Sequence, residues 1–280
     1  MPTYRNAGRH ELGQNFLADR AVIARVVELA SDTPGTLVEW GTGDGAITLR
    51  LAALGRPLEG VEIDRRRVRN LARRVGPHVC ITEGDILRHA PPPGSIVVSN
   101  VPFHLTTPIL RHLLASSDWR RAILITQWEV ARKRAGVGGT TQLTAKFWPW
   151  FEFALVERIP SRAFKPSPSV DAGLLVIDRR ERALVSTLEQ MRYQSWVGHV
   201  FSSRGRGLAD ILTRNEVPAD IAAHIAGPLK TRRLPLPRDM GAGDWARAYL
   251  AASTPRPTSQ NRSRKRTSWG QQGPGMSDSL

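Results

Sequence analysis

The sequence predicts an α/β chain: a mostly parallel sheet with helices on both faces, followed by a small all-helical domain. Two observations carry this reading. Between Ala21 and Asp178, apolar runs of strand length alternate with segments whose apolar residues recur at helical spacing. After Asp178 only the helical spacing remains. Alternation of this kind marks a parallel sheet, because each parallel crossover has room for a helix packed on the sheet.

The elements follow in order. "AVIARVVELA" (21–30) is helical, with Asp19 as its N-cap and Val22, Ile23, Val26, Val27 and Ala30 on one face. "TLVEW" (36–40) is a short buried strand, "GAITLRLAAL" (45–54) a helix and "PLEGVEI" (57–63) a strand. Arg65–Val75 is an amphipathic helix with Val68, Leu71, Ala72 and Val75 on one face and six arginines on the rest. "HVCIT" (78–82), "SIVVSN" (95–100) and "RAILITQ" (121–127) are strands, while "TTPILRHLLA" (106–115) and "WEVARKRA" (128–135) are helices. "FEFALVERI" (151–159) and "AGLLVID" (172–178) are paired strands. The stretches 182–201, 207–214, 219–226 and 244–252 are helical. The expected organisation is a catalytic domain over 1–178, a helical domain over 179–252 and a tail over 253–280. The tail is polar, rich in Pro and Gly and without apolar periodicity; a disordered segment with a basic knot at Arg262–Arg266 is expected.

Charge and cysteine content narrow the function. The formal net charge is +15, with 35 of the 40 basic residues being arginine, which favours a polyanionic partner, nucleic acid first. A single cysteine, Cys80 in an apolar run, excludes an internal disulfide and is expected to be core filler. No Cys/His cluster has zinc spacing, so no metal is expected. The N-terminal stretch is polar and no run approaches 18 apolar residues, so a soluble, cytoplasmic protein without membrane contact is expected.

Four fragments carry chemistry. Gly41-Thr42-Gly43-Asp44-Gly45 lies between a strand and a helix, where glycines let backbone approach a ligand. Glu62 closes the next strand about twenty residues on, where an acid reaches ribose hydroxyls in a nucleotide site. The G-x-G-x-G spacing lacks the third glycine position of pyrophosphate sites, which points to a nucleoside cofactor without a pyrophosphate, such as S-adenosyl-L-methionine. Asp85, at the end of the following strand, can accept from an adenine amine or simply cap its own turn. Asn100-Val101-Pro102-Phe103 ends the next strand. An exocyclic base amine is a poor nucleophile because its lone pair is delocalised into the ring. The Asn100 side-chain carbonyl and the Val101 backbone carbonyl could each accept one of its N–H protons, and Phe103 could stack on the base. The same Asn-x-Pro could equally be a turn initiator with a core Phe.

Together "GQNFL" (13–17), "E-x-G-x-G-x-G", "EID", "GDI", "NVPF" and "FKPSPSV" (164–170) resemble the rRNA adenine-N6 methyltransferases, over about Gly13 to Asp178. "NVPFHLTTPIL" resembles the Erm type more than the KsgA type, which usually reads N-L-P-Y. The resemblance implies a Rossmann-like S-adenosylmethionine-dependent fold, methylation of an adenine in the peptidyl-transferase loop of 23S rRNA, and resistance to macrolide, lincosamide and streptogramin B antibiotics. It implies that Asn15, Leu17 and Gly41 contact the methionine end of the cofactor, Glu62 the ribose and Asp85 the adenine amine. Asn100 would then serve both cofactor and target amine. Phe103 and Phe164 would sandwich the target adenine, with Pro166 and Pro168 stiffening a loop that exposes Phe164.

Two residues depart from the family pattern. Trp40 replaces a small aliphatic after Glu39, with a consequence for cofactor-pocket shape, and Phe103 replaces the commoner Tyr, which removes only a hydroxyl. His104 could touch phosphate, but a solvated loop residue is expected. Arg65–Arg74, Arg132–Arg134 and Lys230–Arg233 are candidate RNA grips. A monomer acting on 23S rRNA, naked or in ribosomal precursors, is expected. The alternatives are a small-subunit 16S rRNA dimethyltransferase, a DNA adenine methyltransferase, which would usually show D/N-P-P-Y, and an idle RNA-binding factor on the same fold.

Overall fold

The computed structural model describes residues 15–116, 118–229 and 233–254. Most of the tail, the first two residues of "GQNFL" and the basic stretch 230–232 lie outside the described residues. In chain order the elements begin with strand β1 (Phe16–Leu17), helix α1 (Arg20–Ser31), β2 (Leu37–Trp40), α2 (Thr48–Ala52) and β3 (Leu58–Glu62). Then come α3 (Arg65–Ala72), β4 (Val79–Glu83), β5 (Ile96–Asn100), α4 (Thr106–Ala115), β6 (Arg121–Gln127), α5 (Trp128–Arg134) and α6 (Gln142–Phe147). The remainder is β7 (Phe151–Ile159), β8 (Phe164–Lys165), β9 (Ala172–Arg179), α7 (Gln190–Ser202), α8 (Leu208–Arg214), α9 (Ala219–Ala226) and α10 (Ala242–Ser253).

Seven strands form one sheet in the order β4-β3-β2-β5-β6-β9-β7. The first five in that order are parallel, and β9 runs antiparallel between β6 and β7. The chain winds outward from β2 through β3 to β4, then returns to the other side of β2 as β5. That reversal opens a crevice beyond the carboxyl ends of β2 and β5, the place where open α/β sheets bind ligands. The antiparallel edge is pinned by Arg121, opposite Asp178 in register, whose Nε donates to Oδ1 at 2.6 Å.

Period-two alternation assigns the sheet faces. Leu37, Ile96 and Val98 belong to a core with α1, whereas Val38, Trp40 and Val97 belong to a second core with α4 and the helical region. The central strands β2, β5, β6 and β9 are buried on both faces over most of their length and read as largely apolar runs. The Asp19 carboxylate caps α1 as the sequence predicts, accepting from the Ala21 and Val22 amides.

Four expectations are corrected. The helix expected from residue 182 starts only at Gln190, because Leu184 and Val185 bind back to the segment just before β7: the Leu184 amide donates to the Pro149 carbonyl, and Trp150 Nε1 donates to the Val185 carbonyl at 2.9 Å. The α3 helix stops at Ala72, and of its expected apolar face only Leu71 is buried. Cys80 is exposed, since β4 is an edge strand with one side of its pleat uncovered. Trp40 does not line the crevice: its ring is fully buried in the core with Val38, Val97 and α4.

The helical region packs on the sheet through aromatic rings. Tyr193 meets Trp150 edge-on at 5.4 Å and donates its hydroxyl to the Ala145 carbonyl, while Trp196 and Phe201 sit against Trp245. Among the described residues no helix is long and apolar enough to cross a membrane, and no group of three or more His, Cys, Asp or Glu side chains is placed to hold a metal.

The close approach of α3 to the glycine turn gives a test of the packing. Gly45 has φ +87°, and a Cβ there would lie 2.4 Å from Leu71 Cδ1; Gly55 has φ +66° but open space around it. Urea unfolding should show Gly45→Ala destabilising by about 3 kcal/mol and Gly55→Ala by about 1 kcal/mol. Equal losses would mean that backbone conformation alone, not contact with α3, fixes the turn.

Candidate active site

The crevice gathers the fragments that the sequence scatters. Its walls include Glu39 and the Gly41–Asp44 turn after β2, Glu62 and Ile63 from β3, Gly84 and Asp85 after β4, and Asn100–Leu105 after β5. Asn15, Phe16 and Leu17 close one side. They are held there by β1, which pairs antiparallel with β8 so that Leu17 lies opposite Phe164.

The glycine turn is wired inward. The Gly41 amide donates to the Val61 carbonyl, the Gly43 amide to Glu62 Oε2 at 2.8 Å and the Gly45 amide to the Thr42 carbonyl. With all three amides engaged, the turn has no array of free glycine N–H groups for a pyrophosphate. Gly41, at φ +78°, faces open space where a Cβ would stand, and so leaves room for a ligand. At Gly43 a Cβ would come within 3.2 Å of the Phe16 ring, which lies across the turn with the Arg67 guanidinium 4.6 Å from its centroid.

Of the four acids lining the crevice, Glu62, Asp85 and Glu39 have different hydrogen-bond surroundings. Glu62 is buried; besides the Gly43 contact, its Oε1 accepts from the Asp64 amide at 3.0 Å. A carboxylate offers about four lone-pair sites, so roughly two remain for a diol. Asp85 Oδ1 accepts from the Leu87 amide at 2.9 Å, so it caps its own turn and also lines the crevice. The structure thus shows the cap, and the place of Asp85 on the wall is where it would meet an adenine amine. Glu39 is buried with Oε2 lacking a hydrogen-bond partner. Burial, reinforced by the nearby Glu62 charge and only partly offset by the Thr48 hydroxyl, pushes its carboxyl up to about 8. An orphaned acceptor of this kind calls for a donor from a ligand.

The Asn100 amide is oriented by its partner. Nδ2 lies 2.8 Å from the Asn15 backbone carbonyl, which can only accept. The NH₂ therefore faces Asn15, and Oδ1 is the acceptor that remains. Val101 donates its amide to the Ile125 carbonyl, and among the described residues nothing donates to the Val101 carbonyl. Phe103 is half-buried and His104 exposed, both at the crevice.

Asn15, Leu17, Gly41, Glu62, Asp85, Asn100, Val101 and Phe103 therefore share one crevice. Phe164 does not. It is 2 % exposed, packed in the core beneath Leu17, and absent from the crevice wall, because pairing with β1 turns it inward. The expectation of an exposed stacking aromatic at 164 is corrected accordingly. Sequence reasoning missed Phe16, Ile63, Arg67 and Glu39 as crevice residues. For Glu39 the signal was present: a lone acid in the four-residue strand Leu37–Trp40, which is buried throughout.

The residues fit S-adenosyl-L-methionine: acceptors for a ribose and an adenine amine, an orphaned acid for a donor, and no phosphate nest. Comparison with known proteins agrees. Residues 5–227 match the family model described as ribosomal RNA adenine dimethylase. The chain is 50% identical over 248 residues to mycinamicin-resistance protein MyrB of Micromonospora griseorubida, spanning 86% of this chain and 78% of that one. It is 40% identical over 232 residues to an rRNA adenine N-6-methyltransferase of Corynebacterium diphtheriae, covering 82% and 92% of the two chains. The crystal structure of the 23S rRNA methyltransferase ErmE superposes with a TM-score of 0.76 at 31% identity, covering 86% of this chain and all of that one.

The buried acid yields a pH test on the ligand-free protein. Glu39 stays protonated in the folded chain up to about pH 8, whereas in the unfolded chain it ionises near its ordinary 4.5. Its contribution to stability is thus fully present below pH 4.5 and is lost as pH rises towards 8. Glu39→Gln should melt with the wild type near pH 4.5 and roughly 5 °C above it at pH 8.5. A difference in melting temperature that does not change with pH would mean that Glu39 is ionised in the fold.

Proposed function

The chain belongs to the ribosomal RNA adenine dimethylase family, and we propose that it transfers a methyl group to N6 of an adenine in the peptidyl-transferase loop of 23S rRNA. The reaction would confer resistance to macrolide, lincosamide and streptogramin B antibiotics. Two comparisons support this substrate over the small-subunit alternative: the 50% identical relative is a mycinamicin-resistance protein, and the ErmE structure is of a 23S rRNA methyltransferase. The observation that carries the reaction type is the Asn100 amide, held by the Asn15 carbonyl with Oδ1 left as an acceptor, on a crevice wall that Val101 shares.

S-adenosyl-L-methionine, when bound, supplies a methyl group activated by a sulfonium centre. Glu62 would hold the ribose hydroxyls, Asp85 the adenine amine, and Glu39 with Asn15, Leu17 and Gly41 the methionine end. The target base leaves its stack and lies against Phe103. Asn100 Oδ1 and the Val101 carbonyl accept the two N–H protons of the amine, drawing the lone pair out of the ring towards the methyl group. With the cofactor bound, these two acceptors would hold the amine as its nitrogen takes the methyl group released by the sulfonium, and the displaced amine proton would pass to water. This arrangement asks for no strong base. We take residues 1–178 as catalytic and 179–252 as helical and RNA-binding, in a cytoplasmic monomer that meets 23S rRNA naked or in ribosomal precursors.

Asn100→Ala should keep its thermal transition within a few degrees and lose on the order of 10²–10³ in single-turnover rate. Asn100→Asp retains an acceptor but sets a carboxylate against the Asn15 carbonyl, so it should be impaired as well. Primer extension on rRNA from expressing cells should stop in the 23S peptidyl-transferase loop for wild type only. A rate within threefold of wild type for Asn100→Ala would remove Asn100 from catalysis, and a stop in 16S rRNA would move the substrate to the small subunit.

A further inference from the structure

Directly behind the crevice lies a cluster that the reaction does not use. Trp40 Nε1 lies 3.0 Å from His89 Nδ1, and His89 Nε2 lies 3.0 Å from Glu59 Oε1. His112 Nε2 lies 2.8 Å from the His89 backbone carbonyl, and the His112 ring sits over Trp40 at 5.6 Å with a 30° tilt. Trp40 itself has no solvent exposure.

Elementary donor and acceptor rules fix both tautomers. An indole N–H can only donate, so His89 Nδ1 accepts and its ring proton sits on Nε2, where it donates to Glu59. A carbonyl can only accept, so His112 carries its proton on Nε2. The result is a directed chain from Trp40 through His89 to Glu59, braced by His112.

Each member stands next to a segment of the crevice. Trp40 immediately precedes Gly41, and its carbonyl accepts from Ser99 Oγ at 2.8 Å, one residue before Asn100. Glu59 lies on β3, three residues before Glu62. His89 follows Asp85 by four residues, and His112 lies on the helix that begins after Phe103. The chain therefore ties the β2 turn, the β3 acid, the Asp85 turn and the Asn100 segment together from the rear.

We infer that Trp40 is a positioning residue for the cofactor site, acting through its N–H on His89 to hold the Gly41 turn and the Asp85 turn at a fixed separation. This explains the place of a bulky, polar-tipped ring after Glu39: the N–H, not only the ring volume, is what the site uses. The inference rests on the cofactor reading given above.

The test uses the full chain and three variants. Trp40→Phe keeps a ring and removes the N–H. His89→Leu removes the acceptor, whereas His89→Asn keeps an oxygen close to the position of Nδ1. Calorimetry should show Trp40→Phe and His89→Leu raising the Kd for S-adenosyl-L-methionine about tenfold, and His89→Asn staying within about threefold of wild type. Affinity for an rRNA hairpin should be unchanged in all three. Long-range ¹⁵N–¹H correlation on the wild type should show His89 protonated at Nε2 and bare at Nδ1. Wild-type affinity in both Trp40→Phe and His89→Leu would overturn the inference, as would His89→Asn behaving like His89→Leu, or a proton on Nδ1. Should Trp40→Phe not fold, the two His89 variants and the tautomer still decide. Failure of the wild type itself to bind S-adenosyl-L-methionine would strike the cofactor reading, while the tautomer would still judge the chain of hydrogen bonds.

Discussion

The Glu62 carboxylate is the constraint on which the site depends. It is buried at the carboxyl end of β3, and its two oxygens accept from backbone amides on different segments, Gly43 and Asp64. A buried carboxylate without such donors would be costly by several kcal/mol, so the amides are as necessary to the acid as the acid is to them. Meeting the first of them pulls the turn after β2 across the end of β3. That turn can follow only because Gly41, Gly43 and Gly45 adopt positive φ and Gly45 leaves room for Leu71 of α3. One carboxylate thereby sets both the shape of the turn and the direction of its own remaining lone pairs.

The sheet supplies the rest through topology. Because β5 returns to the far side of β2, the acid of β3 and the amide of Asn100 end on opposite sides of one crevice. A second, local pairing completes it. The two-residue ladder of β1 with β8 brings Asn15 to Asn100, and the Asn15 carbonyl then decides which way the Asn100 amide faces. The Asn100 acceptor is thus oriented by backbone from a segment 85 residues away.

The long, periodic elements were legible in the sequence, as were Glu62, Asp85, Asn100 and Phe103, because strand ends and turn residues can be located from local pattern. What local pattern could not show was set by distant partners. A two-residue strand has no period, so β1 and β8 were invisible, and with them the inward turn that buries Phe164. The prolines after Phe164 correctly marked an irregular loop but said nothing about the side on which its first residue lies. Cys80 looked like core because apolar neighbours flank it, yet whether a face of β4 is covered depends on strand order. The short helix α6 and the irregular stretch before α7 were missed for the same reason, since α6 is fixed by packing against α7 and the stretch before α7 by the bond from Trp150 Nε1 to the Val185 carbonyl.

The net charge also reads differently once the partners of the arginines are known. Many of the guanidinium groups stitch the fold together. Arg56 donates to the carbonyls of Ala30 and Gly35, Arg179 to those of Ser116 and Trp119, and Arg180 to that of Trp148. On α3, Arg67 lies near Asp44 and Asp64, and just beyond that helix Arg74 donates to the Asp44 carbonyl. A rigid five-donor fork suits such backbone stitching better than an ammonium does, so the excess of arginine over lysine has a structural use here as well as an electrostatic one. The crevice departs from the balance of the whole chain: Glu39, Asp44, Glu62 and Asp85 line it against the single arginine Arg67, whereas the chain carries a formal charge of +15, so a cationic cofactor suits the crevice where a polyanion would not.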